Sequence, residues 1–441
     1  MADKIAVISL GCSKNLVDSE RLMRMFADVG YTVTDTADDD FFKGTGRRHI
    51  VVNTCGFIGD AKEESINEIL SWGELRKDGG IDGLYVMGCL SQRYASQLPG
   101  EIPEVDRWYG KTDWAGLVTD LARRNPGAAP YDRLLTTPRH HAYLKIAEGC
   151  NRFCAFCAIP LITGRYKSRP VEEIVAEVRM LVSRGVKEFN VIAQDLTSYG
   201  LDLYGKQEIA RLVDAIADVE GVEWIRLHYA YPNEFPLDLL DVMASRPNVC
   251  RYLDIALQHV SDNVLSNMRR HITGDETKHL LDELRRRVPG LTLRTTLMVG
   301  FPGEGEKEFE ELMDFVREQR FDRMGAFAYC EEDDTYAALH YEDSISPEVK
   351  QQRLDRLMKL QEEISAELQQ SKVGRVLKIV IDREEDDYYV GRSEADSPEV
   401  DPEVLVRKSR QLEKGRFYNV KITDAYPFEL IGDPLEDETD N

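Results

Sequence analysis

Residues 148–160 read EGCNRFCAFCAIP and set Cys150, Cys154 and Cys157 within eight positions of one another. Three of the eight cysteines in a 441-residue chain thus share one short loop. A disulfide framework belongs to small secreted domains, whereas C-x3-C-x2-C spacing in a long chain points to a metal site. The strand-like run AYLKIAEG (142–149) leads into the loop. It is the first of six, followed by EFNVIAQD (188–195), EWIRLHYA (223–230), YLDIALQH (252–259), LTLRTTLMVGFP (291–302) and RMGAFAYC (323–330). Amphipathic helices over 171–184, 207–219 and 306–319 lie between them. Six βα units predict an open, partial (β/α)6 barrel over 142–345, with its chemistry at the carboxyl ends of the strands.

Each iron of a [4Fe-4S] cluster takes one thiolate, so three cysteines leave one iron open. A structural zinc site would need a fourth ligand. No second C-x2-4-C pair supplies one, although His140 and His141 stand near enough in sequence to keep that alternative. Phe153 and Phe156 are candidates to shield a cluster.

Upstream, KIAVISLGC (4–12), RHIVVNTCGF (48–57) and GLYVMGCL (83–90) read as strands alternating with helices over 18–29 and 60–74. This βαβ pattern predicts a parallel sheet over residues 1–124. Cys12, Cys55 and Cys89 each end a strand beside a glycine. Strand ends on one edge of a parallel sheet converge, so these three thiols are candidates for a second cluster. Chance burial of cysteine is the plainer alternative.

Residues 125–141 mix Pro, Gly and polar residues and read as a linker. A long charged helix over 346–373, centred on 347–370, leads to short β-rich runs in 374–435, which predict a small antiparallel barrel. The acidic tail, 436–441, is expected to lack order. The chain is therefore α/β with three units. No run of eighteen apolar residues and no leader-like N-terminus appear, which suggests a soluble cytoplasmic protein with no membrane partner. The net charge of −23 disfavours nucleic acid and suits basic partners.

The loop at Cys150 resembles that of the radical S-adenosylmethionine superfamily. SLGCSKNLVDSE, VNTCGFIGDAKEESI, GCLSQRY, VIAQDLTSYG, YLDIALQH and LMVGFPGE are similar, in order and along nearly the whole chain, to the signatures of its methylthiotransferase family. The resemblance implies an N-terminal cluster domain, a radical barrel and a C-terminal TRAM domain. It implies that Cys150, Cys154 and Cys157 hold a [4Fe-4S] cluster whose open iron is chelated by S-adenosylmethionine. It further implies that Cys12, Cys55 and Cys89 hold a second cluster carrying the sulfur to be inserted. One S-adenosylmethionine methylates that sulfur and another yields a 5'-deoxyadenosyl radical. No protein acid or base is then needed for the chemistry. An electron donor such as flavodoxin or ferredoxin is implied as well.

The family has tRNA-modifying branches and one that modifies the β-carbon of an aspartate in small-subunit ribosomal protein S-twelve. The wording of AQDLTSYG and CGFIGDAKEESI is similar to the protein branch. Residues 374–435 hold ten Lys or Arg against fourteen Asp or Glu, a poor surface for tRNA but a good one for a basic ribosomal protein, free or in its subunit. The run RKSRQLEKGR (407–416) argues for the tRNA alternative. A non-catalytic electron carrier is a further alternative, disfavoured because such carriers use four thiolates per cluster.

Weaker signals complete the reading. Gly300 and Gly303 could let backbone approach S-adenosylmethionine or substrate, Arg294 is a candidate for a carboxylate, and Gln194 and Asp195 end the second barrel strand. GLDLYGKQ (200–207) and GKTD (110–113) fail as phosphate loops. Cys250 and Cys330 read as ordinary buried residues. The family more often has Ser at position 330, Gly at 334 and Thr at 305, where this chain has Cys330, Asp334 and Gly305.

Overall fold

The computed structural model describes residues 2–127 and 131–436. The tail expected to lack order lies outside the described residues from 437 onward.

Five parallel strands build the N-terminal sheet: β1 (Lys4–Ser9), β2 (Thr32–Thr34), β3 (Arg48–Thr54), β4 (Gly83–Gly88) and β5 (Arg107–Trp108), in the order β2-β1-β3-β4-β5. β1, β3 and β4 carry the three apolar runs, and Ile5, Val7, Ile50, Val52, Leu84 and Val86 are sealed between helices on both faces. The edge strands β2 and β5 are too short to announce themselves in sequence. Helices Ser13–Asp28 and Gly59–Lys77 follow β1 and β3 directly.

The six expected barrel strands are β6 (His141–Lys145), β9 (Glu188–Ile192), β10 (Trp224–Ala230), β11 (Val249–Gln258), β12 (Thr292–Val299) and β13 (Arg323–Ala328). They form one parallel sheet ordered β13-β12-β11-β10-β9-β6. β6 and β13 do not pair, so the barrel stays open on one side. Two short strands, β7 (Ala147–Glu148) and β8 (Lys167–Ser168), pair antiparallel and pinch the ends of the cysteine loop together. Leu144, Val191, Leu227, Leu253, Leu293 and the apolar faces of helices Val171–Ser183 and Glu306–Gln319 share one core.

Helix Pro347–Gln370 packs beside β13 and delivers the chain to a closed five-stranded barrel. Its strands are β14 (Val376–Glu384), β15 (Tyr388–Ser393), β16 (Glu403–Arg407), β17 (Phe417–Tyr426) and β18 (Glu429–Pro434). The expected antiparallel pattern holds at four seams, while β16 and β18 pair in parallel. Strand directions cannot alternate fully around an odd-numbered ring, so one seam must be parallel.

This barrel seals the amino end of the larger one. The loop after β15 reaches in, where Arg226, Arg323 and Arg294 from three barrel strands meet the Glu394 carbonyl, Asp396 and Asp401. His140 and His141 belong to this junction. His140 Nε2 lies 2.7 Å from Asp382 Oδ1, and both histidines sit at the end of β6 opposite the cysteine loop, which removes them as ligands there. Within the segment read as a linker, Arg133 is fully buried between Glu20 and Glu177, and His140 and His141 are buried as well, so these residues anchor the segment to the fold. No helix of the described residues is long and apolar enough to cross a membrane.

Candidate active site

The carboxyl ends of β1, β3 and β4 and those of β6, β9, β10 and β11 border a single cavity of ≈ 360 Å³. All six cysteines of the two triads line it: Cys12, Cys55 and Cys89 from the N-terminal sheet, and Cys150, Cys154 and Cys157 from the barrel loop. Two carboxyl sheet edges thus face each other, and each contributes three thiols.

Hydrogen bonds fix the N-terminal turns. Asn15 Nδ2 donates to the carbonyls of Leu10 and Thr54, at 3.1 and 2.9 Å, tying the turns after β1 and β3 together. The Cys55 amide donates to Ser65 Oγ at 3.0 Å. Gly11 has φ +82°, and a Cβ there would stand 2.7 Å from Cys55 Sγ, so only glycine lets these two turns approach.

The barrel loop is held differently. Arg152 Nε donates to Asp195 Oδ2 at 2.7 Å, and the Arg152 amide donates to Cys150 Sγ at 3.5 Å. Arg270 Nη1 donates to Cys154 Sγ at 3.3 Å, while the guanidinium groups of Arg270 and Arg152 lie 4.1 and 4.3 Å from the Tyr231 ring. Donors aimed at ligand sulfurs are a means by which a protein tunes a cluster.

A buried ionic group joins the two walls. Lys111 Nζ lies 3.1 Å from Asp18 Oδ2 and 2.9 Å from Glu148 Oε1, and Lys145 contacts the same two carboxylates. Asp18 follows Cys12 on its helix and Glu148 precedes Cys150, so the group sets the spacing between the triads. The two lysines hold the Glu148 carboxyl down at about 2 despite its burial.

Burial pushes the Cys150 thiol up to about 11 and that of Cys89 to about 12, and raises Cys55 and Cys157 as well. Thiolate formation here needs a compensating cation, and metal loading would release protons. Among the described residues no three His, Cys, Asp or Glu side chains converge on one point to hold a single ion. Three thiols on each wall are the donor set that a [4Fe-4S] cluster with one open iron would use, one thiolate per iron.

Of the other candidates, Gln194 and Asp195 both line the cavity, and Asp195 also caps the turn Leu196–Ser198 by accepting from the Thr197 amide. Arg294 is elsewhere: Asp254 and Asp401 hold its guanidinium at 3.2 and 3.4 Å, toward the C-terminal barrel. Gly300 and Gly303 do not line the cavity either. Added Cβ atoms there would meet the Lys350 side chain and the Asn267 amide, so these glycines serve packing. Phe156 lines the cavity and meets the Phe301 ring edge-on, whereas Phe153 is exposed. Cys250 is buried against Trp224 and Val380, but Cys330 is exposed on the loop after β13, contrary to expectation, because that loop runs outside the core.

Sequence reading missed Lys14, Lys111, Arg270, Tyr231 and Gln258, which also line the cavity. Lys111 stood within the rejected phosphate loop GKTD. Lys14 lies within SLGCSKNLVDSE, where nothing local distinguishes it from a solvated helical lysine. The other three reach the cavity from strand ends and loops distant in sequence.

An open six-stranded parallel barrel with a three-cysteine loop after its first strand defines a radical S-adenosylmethionine protein. Residues 144–316 match the radical SAM superfamily, residues 373–435 the TRAM domain, and residues 4–110 the family described as "Uncharacterized protein family UPF0004". The radical S-adenosylmethionine methyltransferase TsrM from Kitasatospora setae shares the fold, with a TM-score of 0.56 over 77% of this chain and 74% of that one, at 15% identity. Much nearer are proteins named ribosomal protein uS12 methylthiotransferase RimO. That of Parabacteroides distasonis is 58% identical over 98% of this chain and 99% of its own length, and that of Phocaeicola vulgatus is 59% identical over the same shares. The chain belongs to the RimO family of radical S-adenosylmethionine methylthiotransferases.

Proposed function

We propose that this chain methylthiolates the β-carbon of an aspartate in ribosomal protein uS12. The observation that carries the reading is the single cavity walled by two three-thiol sets, one from each sheet edge. Cys150, Cys154 and Cys157 hold a [4Fe-4S] cluster that binds S-adenosylmethionine, and Cys12, Cys55 and Cys89 hold a second. When bound, these groups supply the radical that opens a C–H bond and the sulfur that enters it.

The chain's own residues position and enclose. Arg152, clamped by Asp195, and Arg270, stacked on Tyr231, direct N–H groups at Cys150 and Cys154. Phe156 and Phe57 narrow the cavity and limit water, while Lys111 and Lys145 hold the walls at a fixed separation. Gln258 Oε1 is buried, has no hydrogen-bond partner among the described residues, and is available to a donor from an occupant. Reduction requires an outside donor, a flavodoxin or ferredoxin, and the reading places the chain in the cytoplasm. It also divides the chain into 1–124, 142–345 and 374–435, joined by 125–141 and 346–373.

The tRNA alternative loses support, because three of the five basic side chains in that run are paired with carboxylates. Arg407, Lys408 and Arg416 lie 3.1, 2.8 and 3.5 Å from Asp433, Glu384 and Glu413. The electron-carrier alternative would need four thiolates at each site. The test offers uS12 and tRNA together, anaerobically, to the reconstituted chain with S-adenosylmethionine and a reductant. Mass spectrometry should find methylthio addition on the uS12 aspartate alone; addition on tRNA alone would overturn the reading.

A further inference from the structure

Four cationic side chains line the cavity: Lys14, Lys111, Arg152 and Arg270. Three are engaged. Lys111 is paired with Asp18 and Glu148, Arg152 with Asp195, and Arg270 with Cys154 Sγ and the Ala256 carbonyl. Lys14 differs. It is 6% exposed, and among the described residues its ammonium has no hydrogen bond or ion pair; its contact is the face of the Tyr229 ring, 3.4 Å from the centroid.

The side chain is packed into the wall and lines the cavity, where an occupant bearing a negative charge would supply the counter-charge that no neighbouring carboxylate gives. Backbone strain supports the arrangement from the opposite wall. Tyr229, at the end of β10, has φ +64°, a left-handed conformation disfavoured for a bulky residue. It presents the ring on which Lys14 rests. Strain of this kind persists where the surroundings dictate it, and it clusters at ligand sites.

We infer that Lys14 is a substrate-binding residue whose ammonium takes the side-chain carboxylate of the aspartate to be modified. This rests on the proposed function. That carboxylate is bonded directly to the β-carbon, so holding it fixes the reacting carbon between the two triads. The methionine carboxylate of S-adenosylmethionine has the same chemistry, but the groups available to the two are anchored on different walls. Lys14 stands in the first turn of helix Ser13–Asp28, on the N-terminal wall, whereas Arg270, in contact with Cys154, and Gln258, whose Oε1 has no partner among the described residues, stand on the barrel wall. Lysine also explains discrimination against the neutral amide. Asparagine has the same shape but leaves the ammonium without a counter-charge.

The test is a two-by-two binding comparison with the full chain, reconstituted anaerobically. Wild type and Lys14→Met are each titrated with labelled uS12 carrying either Asp or Asn at the modified position, and S-adenosylmethionine affinity and iron per chain are measured alongside. Wild type should bind the Asp form roughly ten- to a hundredfold more tightly. Lys14→Met should bind both forms alike, with S-adenosylmethionine affinity and iron content kept. Discrimination retained in Lys14→Met overturns the inference. So does a fall in S-adenosylmethionine affinity with discrimination intact, which would assign the carboxylate to the cofactor, or a fall in iron with discrimination intact, which would make Lys14 a partner of the cluster. Should Lys14→Met fail to fold, wild type decides alone, because equal affinity for Asp and Asn forms overturns it. Absence of any uS12 binding by wild type would instead strike the proposed function, and the inference with it.

Discussion

Glu188 at the start of β9 and Arg392 near the end of β15 meet through two parallel hydrogen bonds of 2.9 and 2.8 Å, both side chains sealed from solvent. Arg226 lies 3.2 Å from the same carboxylate, and Asp382 accepts from Arg392 at 2.7 Å. Two guanidinium groups and two carboxylates thus balance between the larger and the smaller barrel, and Arg392 holds Glu188 far below the usual carboxylate range.

Arg392→Met removes one charge from that balance and leaves Glu188 and Asp382 undercompensated. Breaking a buried pair in this way costs about 3–5 kcal/mol. Amide exchange should show the strands of the C-terminal barrel losing protection first. Protection equal to wild type would mean that the apolar contacts of this junction suffice.

The same junction gives a dependence on pH. Burial, with the Arg392 charge adding to it, holds His141 down at about 4, against roughly 6.5 in an unfolded chain. Between those values the unfolded chain binds a proton that the folded chain refuses. The contribution is therefore complete above about pH 6.5 and is lost as pH falls toward 4. At about pH 5 the loss is about 2 kcal/mol. The urea midpoint should fall between about pH 7 and pH 5, and His141→Phe should shrink that fall. An unaltered fall in the variant would assign it to other groups.

Gly11→Ala should disrupt the N-terminal triad alone. The added methyl would stand 2.6 Å from Cys55 Cβ and 2.7 Å from its Sγ, at a φ of +82°. Iron per chain should drop by about half, with the Cys150 loop still loaded. Full iron content would show that the turn after β3 can retreat.

The triads separate by function in cysteine variants. Cys89→Ala should lose about half the iron, keep formation of 5'-deoxyadenosine and lose methylthio transfer, whereas Cys157→Ala should lose both activities. Retention of 5'-deoxyadenosine formation in Cys157→Ala would remove this loop as the S-adenosylmethionine site.

Asp334 has φ +61°, a conformation that glycine adopts without strain. Asp334→Gly should therefore raise stability by at most about 1 kcal/mol. A lower melting temperature would show that flexibility gained by the unfolded chain outweighs the relief.

Local pattern determined much of this protein. Apolar runs located β1, β3, β4 and all six barrel strands, because a buried parallel strand must be apolar over most of its length. Helices Glu306–Gln319 and Pro347–Gln370 are legible from their amphipathic periodicity. The six cysteines are legible too, three by spacing and three by their shared place after strands.

Only the tertiary structure decided which charges face the cavity and which are engaged elsewhere. Arg294 and His140 looked available in sequence, yet their partners, Asp401 and Asp382, come from a barrel more than a hundred residues downstream. Lys14 and Lys111 looked ordinary and lie within the cavity wall. A strand's periodicity fixes the face on which a side chain stands. The charge that it meets there depends on how separate sheets pack, and that is set by contacts among elements remote in the chain.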